Sequence, residues 1–248
     1  MKNVPIKPPN SKIKDDWLWH RVEHIYLFFH VYCVGEWQEH LKEMWKRFPQ
    51  SFIDKSTIFI CASSESCTRD FFPGSTPEGL HIYYPSPEFP INKEWDTLLL
   101  LKKFCESRTD NVPVMYIMNK GVTNNNPHAI DWNHAMLYFL IENHEDACYE
   151  LQNWDAVGCN LTSFGTGKPH FSGNFWMAWS DYVKRLKRPS TQDIKDRMMG
   201  EMWIGTGPGK LCSLHTSSPL GSPNHFSVPY KRDRYDYRGL SLDDIKQR

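Results

Sequence analysis

The chain has 248 residues, with 29 basic and 29 acidic side chains and a formal charge of zero. That length suits one large α/β domain or two small ones with a sizeable core, and the balanced charge argues against a nucleic-acid partner. No run of about 18 apolar residues occurs, so no membrane-spanning helix is expected.

The stretch from Met1 to Asp16 is polar, contains three prolines and has no apolar signal-peptide core. From Ile25 to Val34 (IYLFFHVYCV) the chain is apolar, aromatic and β-branched, which predicts a buried strand. Between Glu36 and Phe48, Trp37, Leu41, Met44, Trp45 and Phe48 recur at helical spacing. Ser56 to Ala62 and Gly79 to Tyr84 read as a second and a third strand, and Trp95 to Cys105 as a helix. Val112 to Met118 reads as a fourth strand, with Pro113 near its start, where a missing donor is tolerable. One long helix is expected from Asp131 to Leu151 and a fifth strand from Ala156 to Leu161. Strands alternating with crossovers of this length predict an α/β fold, a mostly parallel sheet flanked by helices. The expected organisation is an N-terminal arm over 1–22, one domain over 23–218 and a C-terminal arm or solvated tail over 219–248.

The seven cysteines form no C-x-x-C pair and no zinc-site spacing. They read as reduced, buried thiols, so a cytoplasmic location is expected.

The densest chemistry lies in His170-Phe171-Ser172-Gly173-Asn174-Phe175-Trp176, with Glu201-Met202-Trp203 beginning 25 residues after Trp176. A glycine that lets backbone approach a ligand, a few polar groups and flat aromatic faces suit a polyhydroxylated ligand. The plainer alternative is a glycine turn whose aromatics belong to the core. In open α/β sheets ligands bind at the carboxyl ends of strands, which singles out His30 and Tyr32 after the first strand. It also singles out Asn119, Lys120 and Gly121 after the fourth. Lys120 beside Gly121 suits a phosphate, because the ammonium adds charge and the glycine exposes backbone N–H groups.

Tyr116-Ile117-Met118-Asn119-Lys120-Gly121, Asp131-Trp132, Trp154-Asp155-Ala156-Val157-Gly158, His170 to Trp176 and Glu201-Met202-Trp203 occur in that order. This ordered set resembles a family of glycosyltransferases that includes a domain encoded by large chlorella-infecting viruses and relatives in bacterial polysaccharide clusters. The resemblance implies a GT-A-type domain that moves a sugar from a nucleotide-sugar, such as UDP-glucose or UDP-xylose, to a glycan acceptor. Two departures stand out: Met118-Asn119 replaces the His-Thr usual before Lys-Gly, and Met177 replaces a second tryptophan.

GT-A enzymes commonly hold Mn²⁺ or Mg²⁺ through Asp-x-Asp, which this chain lacks. The leaving diphosphate then needs Lys120 and backbone N–H groups, or a metal held by one carboxylate, phosphates and water. Three groups are candidates for the base, Glu201, Asp155 and His170, and Glu201 is favoured by its place after the donor loops. His30, Tyr32, Asn119, Lys120 and Gly121 are expected to bind donor. Ser172, Gly173, Asn174, Phe175, Trp176 and Trp203 are expected to bind acceptor or sugar. A sugar- or nucleotide-binding module without turnover would keep Lys120 and the aromatics but would not need Glu201.

Overall fold

The computed structural model describes residues 22–72, 79–84, 94–123, 126–163, 167–217 and 228–236. The expected N-terminal arm falls outside these except for Val22, as does most of the C-terminal segment. Nine strands and eight helices are seen among the described residues. In chain order they are β1 (Ile25–Val31), α1 (Trp37–Trp45), α2 (Gln50–Ile53), β2 (Ser56–Ala62), β3 (Leu80–Tyr83) and α3 (Trp95–Ser107). Next come β4 (Pro113–Met118), α4 (Pro127–Leu137), α5 (His144–Leu151), β5 (Ala156–Cys159) and β6 (Leu161–Thr162). The last are β7 (His170–Phe171), β8 (Trp176–Trp179), α6 (Ser180–Arg185), α7 (Thr191–Lys195), α8 (Arg197–Met202) and β9 (Leu211–His215).

Seven strands form one sheet in the order β3-β2-β1-β4-β8-β5-β9, and β6 pairs with β7 apart from it. Every pairing in the large sheet is parallel except those of β8, which runs against both β4 and β5. The mixed, mostly parallel α/β architecture thus agrees with the expectation. Strand alternation divides the core between the two faces. Leu27, Phe29, Val31, Met115 and Ile117 pack with α1, α4 and α5 on one face. Phe28, Val114, Tyr116, Trp176 and Ala178 pack with α3 and α6 on the other.

The strand order fixes where a ligand would lie. From β1 the chain moves outward to β2 and β3, then crosses back to add β4 on the other side of β1. The carboxyl ends of β1 and β4 therefore flank a topological switch point, where loops diverge and leave a crevice.

Two expectations need correction. The helix foreseen from Asp131 to Leu151 begins at Pro127 and is broken into two. Asn126 caps it by accepting the His128 N–H at 2.9 Å, and Pro127 occupies the first turn, where its missing N–H is harmless. One π-turn, Tyr138–Glu142, then ends at Asn143, whose side chain donates to the Tyr138 carbonyl. The apolar run Leu137 to Ile141 hides this break from periodicity, because four of its five members, all but Phe139, are buried. The fifth strand stops at Cys159, since Asn160 turns the chain with φ of 55°.

Residues 228–236 lie against α4 and the π-turn. Tyr230 and Tyr235 are buried with Ala135 and Tyr138. Arg232 pairs with Glu142 at 2.6 Å and Asp236 at 2.8 Å.

Candidate functional site

Asn119 joins the two sides of the switch point. Its Oδ1 accepts the Tyr32 N–H at 2.8 Å and its Nδ2 donates to the Tyr32 carbonyl at 3.0 Å. The side chain therefore stands in for a strand partner just past the ends of β1 and β4. It is buried and engaged with main chain, so Asn119 builds the crevice instead of facing a donor. His30 also lies beneath the surface. Its ring meets the Thr97 hydroxyl at 2.9 Å, and burial pulls its pKa down to about 4, so it stays neutral near pH 7. Of the expected donor residues, Tyr32, Lys120 and Gly121 remain partly exposed at the crevice. Gly121 turns the chain with φ of 94°.

Lys120 extends over the Trp132 ring, with Nζ 4.6 Å from the centroid. It also lies close enough to Glu94 to oppose the rise in that residue's pKa. Glu94, the residue before α3, is the functional group that the sequence reading missed. Its Oε2 accepts from the Asn174 side-chain amide at 2.9 Å and the Tyr116 hydroxyl at 3.2 Å. Burial, chiefly, and then the nearby Glu201 raise its pKa above the usual carboxylate range. Burial and Glu94 also hold the Tyr116 phenol well above its usual pKa, so it remains a donor.

The turn Ser172-Gly173-Asn174 between β7 and β8 carries the second carboxylate. Its first turn bond runs from the Asn174 N–H to the Phe171 carbonyl at 2.9 Å. The Gly173 N–H donates to Glu201 Oε1 on α8 at 2.5 Å. Among the described residues, Glu201 Oε2 has no hydrogen-bond partner. Gly173 adopts φ of 98°, and a Cβ there would lie 2.6 Å from Met136 Sδ and 2.8 Å from Trp132 Cζ2. Only glycine lets this turn sit so close to α4. Asn174 ties the group together, since its Oδ1 accepts the Trp176 indole N–H at 2.9 Å while its amide serves Glu94. On α8, Gly200 packs directly on Glu94, and a Cβ there would overlap Glu94 Oε1.

Glu94, Lys120, Asn174 and Glu201 thus come from the residue that precedes α3, the β4 exit, the β7–β8 turn and α8. They meet at the carboxyl edge of β4, because antiparallel β8 begins where β4 ends, with Trp176 opposite Tyr116.

Several expected roles change. Phe175 and Trp176 are 0% exposed and Trp203 is 2% exposed, so none offers a ring face to a sugar. Trp176 instead stacks on Tyr116 at 5.6 Å and packs against Trp203, which makes these rings the floor of the site. Asp155 sits at the amino end of β5, on the opposite edge of the sheet. It pairs there with Arg185 at 2.8 Å and accepts the Lys210 N–H at 2.8 Å, so it cannot share a reaction with Glu201. His170 is buried, and its Nδ1 is engaged with the Lys168 carbonyl at 3.0 Å. Asp193 and Asp196, which with Asp233 and Asp236 come nearest to the Asp-x-Asp spacing, cap α7 and α8.

Among the described residues no three His, Cys, Asp or Glu side chains cluster as metal ligands. Glu94 Oε2 is already bonded to Tyr116 and Asn174, and the nearby positive charge is the Lys120 ammonium. No helix among the described residues is long and apolar enough to cross a membrane.

Residues 87–227, more than half of the chain, match a family described as a domain of unknown function, DUF8361. The chain belongs to that family. It spans β4 to β9 together with Glu94, Lys120, the Ser172–Asn174 turn and Glu201. No curated protein matches the chain.

Proposed function

We propose that this protein is a GT-A-type glycosyltransferase, moving a sugar from a nucleotide-sugar to a hydroxyl of a glycan acceptor. One observation carries the reading. A lysine and a carboxylate, Lys120 and Glu201, flank the buried Glu94 carboxyl beside the switch point of the sheet. Glycosyl transfer from a nucleotide diphosphate needs those opposed functions in one cleft: a base for the incoming hydroxyl and positive charge for the departing phosphate.

In this reading the Glu201 Oε2 takes the acceptor proton while its Oε1 is steadied by the Gly173 N–H. The hydroxyl oxygen bonds to the anomeric carbon as the bond to diphosphate breaks, and the leaving charge is met by Lys120 and the N–H groups around Gly121. A single displacement of this kind inverts the anomeric centre. Glu94 touches neither partner. It holds Asn174 and packs against Gly200, and so fixes the β7–β8 turn relative to α8. No step requires a metal ion.

The test is a panel of nucleotide-sugars, UDP-glucose and UDP-xylose among them, assayed for free nucleotide and for sugar on a glycan acceptor. Acceptor-dependent nucleotide release with inversion is expected. Binding by calorimetry without release under any acceptor would reduce the protein to a nucleotide-sugar-binding module. A product that keeps the donor's configuration would overturn the single displacement.

A further inference from the structure

A cavity of about 310 Å³, which the transfer reaction does not use, lies where the end of α1, the π-turn and the 228–236 segment meet. Lys46, Arg47, Pro49, Glu142 and Arg232 line it. It is separate from the crevice at β1 and β4. Trp132, the ring under Lys120, and Glu142 are about ten residues apart along α4 and its π-turn, roughly 15 Å of helix. One carboxylate draws the two guanidinium groups together. Glu142 accepts from Arg47 at 2.8 Å on Oε1 and from Arg232 at 2.6 Å on Oε2. Asp236 fixes Arg232 from outside the lining at 2.8 Å, and the Tyr138 ring lies 5.3 Å beneath its guanidinium. Arg47 spends one guanidinium N–H on Glu142 and none on any other described residue, so most of its fork is left for a ligand.

We propose that this cavity binds a small phosphorylated molecule, with Lys46, Arg47 and Arg232 around the phosphoryl oxygens. The lining holds three cations and one carboxylate, a local surplus of positive charge in a chain whose formal charge is zero. A phosphate monoester, with a charge of about −1.5 to −2 near pH 7, answers that surplus. The guanidinium fork of Arg47 matches two phosphate oxygens, and Lys46 adds a point charge. Lys46 is paired only across the exposed surface with Glu43, a contact too screened to compete strongly with a dianion. The Arg47 side chain is 21% exposed, so an anion beside it is screened less than one on an open surface.

The volume is at the lower end for small-molecule sites. It suits inorganic phosphate or a sugar monophosphate and excludes a whole nucleotide-sugar. Four of the five lining residues lie outside 87–227, so the cavity is a property of this chain beyond the segment that defines its family. A bound phosphate ties the end of α1 to the segment that packs Tyr230 and Tyr235 against α4.

The experiment titrates the full chain by calorimetry at constant ionic strength with inorganic phosphate, with glucose 6-phosphate and with acetate. Both phosphates should saturate one site, and acetate should bind at least about tenfold more weakly, since it carries less charge and fewer acceptor oxygens. Lys46→Glu and Arg47→Gln should each weaken phosphate binding at least about tenfold, whereas Lys120→Ala should leave it unchanged. Lys46 is exposed, so Lys46→Glu decides the outcome if Arg47→Gln fails to fold. The absence of saturable phosphate binding, equal affinity for acetate, or affinity untouched by Lys46→Glu would overturn the proposal. Loss of binding in Lys120→Ala would move the phosphate to the transfer crevice and overturn it too. Because no readout involves sugar transfer, the result is independent of the proposed activity.

Discussion

Replacing Gly173 with alanine tests whether the β7–β8 turn is built as described. The substitution meets two penalties. An L-residue forced to φ of 98° loses backbone freedom that glycine keeps, worth roughly 1–2 kcal/mol or more. The added Cβ would also lie 2.6 Å from Met136 Sδ and 2.8 Å from Trp132 Cζ2. Overpacking of this kind costs about 1–3 kcal/mol. The expected loss is therefore about 2–5 kcal/mol in urea unfolding. Gly167 supplies the control, because its φ is 67° but nothing lies within 4 Å of an added Cβ. Gly167→Ala should cost only the backbone part, about 1–2 kcal/mol. Equal losses at both positions would refute the close approach of the turn to α4. Since the Gly173 N–H also holds Glu201, Gly173→Ala should impair transfer even where the chain remains folded.

Three further outcomes follow from other parts of the molecule. Lys120→Ala should weaken nucleotide-sugar binding by about 1.5–3 kcal/mol, the usual value of a charge-assisted hydrogen bond; unchanged affinity by calorimetry would remove Lys120 from the donor site. Lys102→Met should cost about 1–3 kcal/mol, because its buried ammonium caps α6 through the carbonyls of Val183, Lys184 and Leu186, whereas Glu106 keeps its pairing with Arg188; a loss under about 0.5 kcal/mol in urea unfolding would contradict that role. His30 ties stability to pH. Its folded pKa of about 4 lies below the ordinary 6.5, so the unfolded chain takes the proton first as pH falls. The contribution is full above pH 6.5 and is lost progressively toward pH 4, up to about 3 kcal/mol. Asp96, raised by burial to about 6, acts in the opposite sense over part of that range. The decisive measurement is therefore an NMR titration of the His30 ring, which should stay neutral at pH 5.5; protonation there would contradict its burial.

The strands were legible because β-branched and aromatic runs such as IYLFFHV and STIFICA favour a sheet buried on both faces. Ser56–Ala62 has the limits that its composition suggested. The carboxyl-end rule placed Lys120 and Gly121 past the fourth strand, where the structure has them, while Glu201 was singled out by the motif order alone. Glu94 was not, since a carboxylate one residue before a helix looks like an ordinary solvated acid. Its role appears only when the crossover through α3 brings it beneath Asn174 and Tyr116. The aromatic run Phe175-Trp176 misled for a related reason. Composition cannot tell a stacking face from a core ring, and here the start of β8 is buried between β4 and β5. Asp155 misled because its neighbours in sequence carry the motif while its own position is at the wrong end of β5.

Glu201→Gln tests the central claim most directly, because it keeps the size and much of the Gly173 contact but cannot take the acceptor proton. With saturating donor and acceptor, turnover should fall by about 10²–10⁴ while the donor Kd stays near the wild-type value. Asp155→Asn, at the far edge of the sheet, should leave turnover nearly unchanged, and His170→Ala measured in parallel reports on the remaining ring. Near-normal turnover by Glu201→Gln would contradict the account and remove Glu201 as the base.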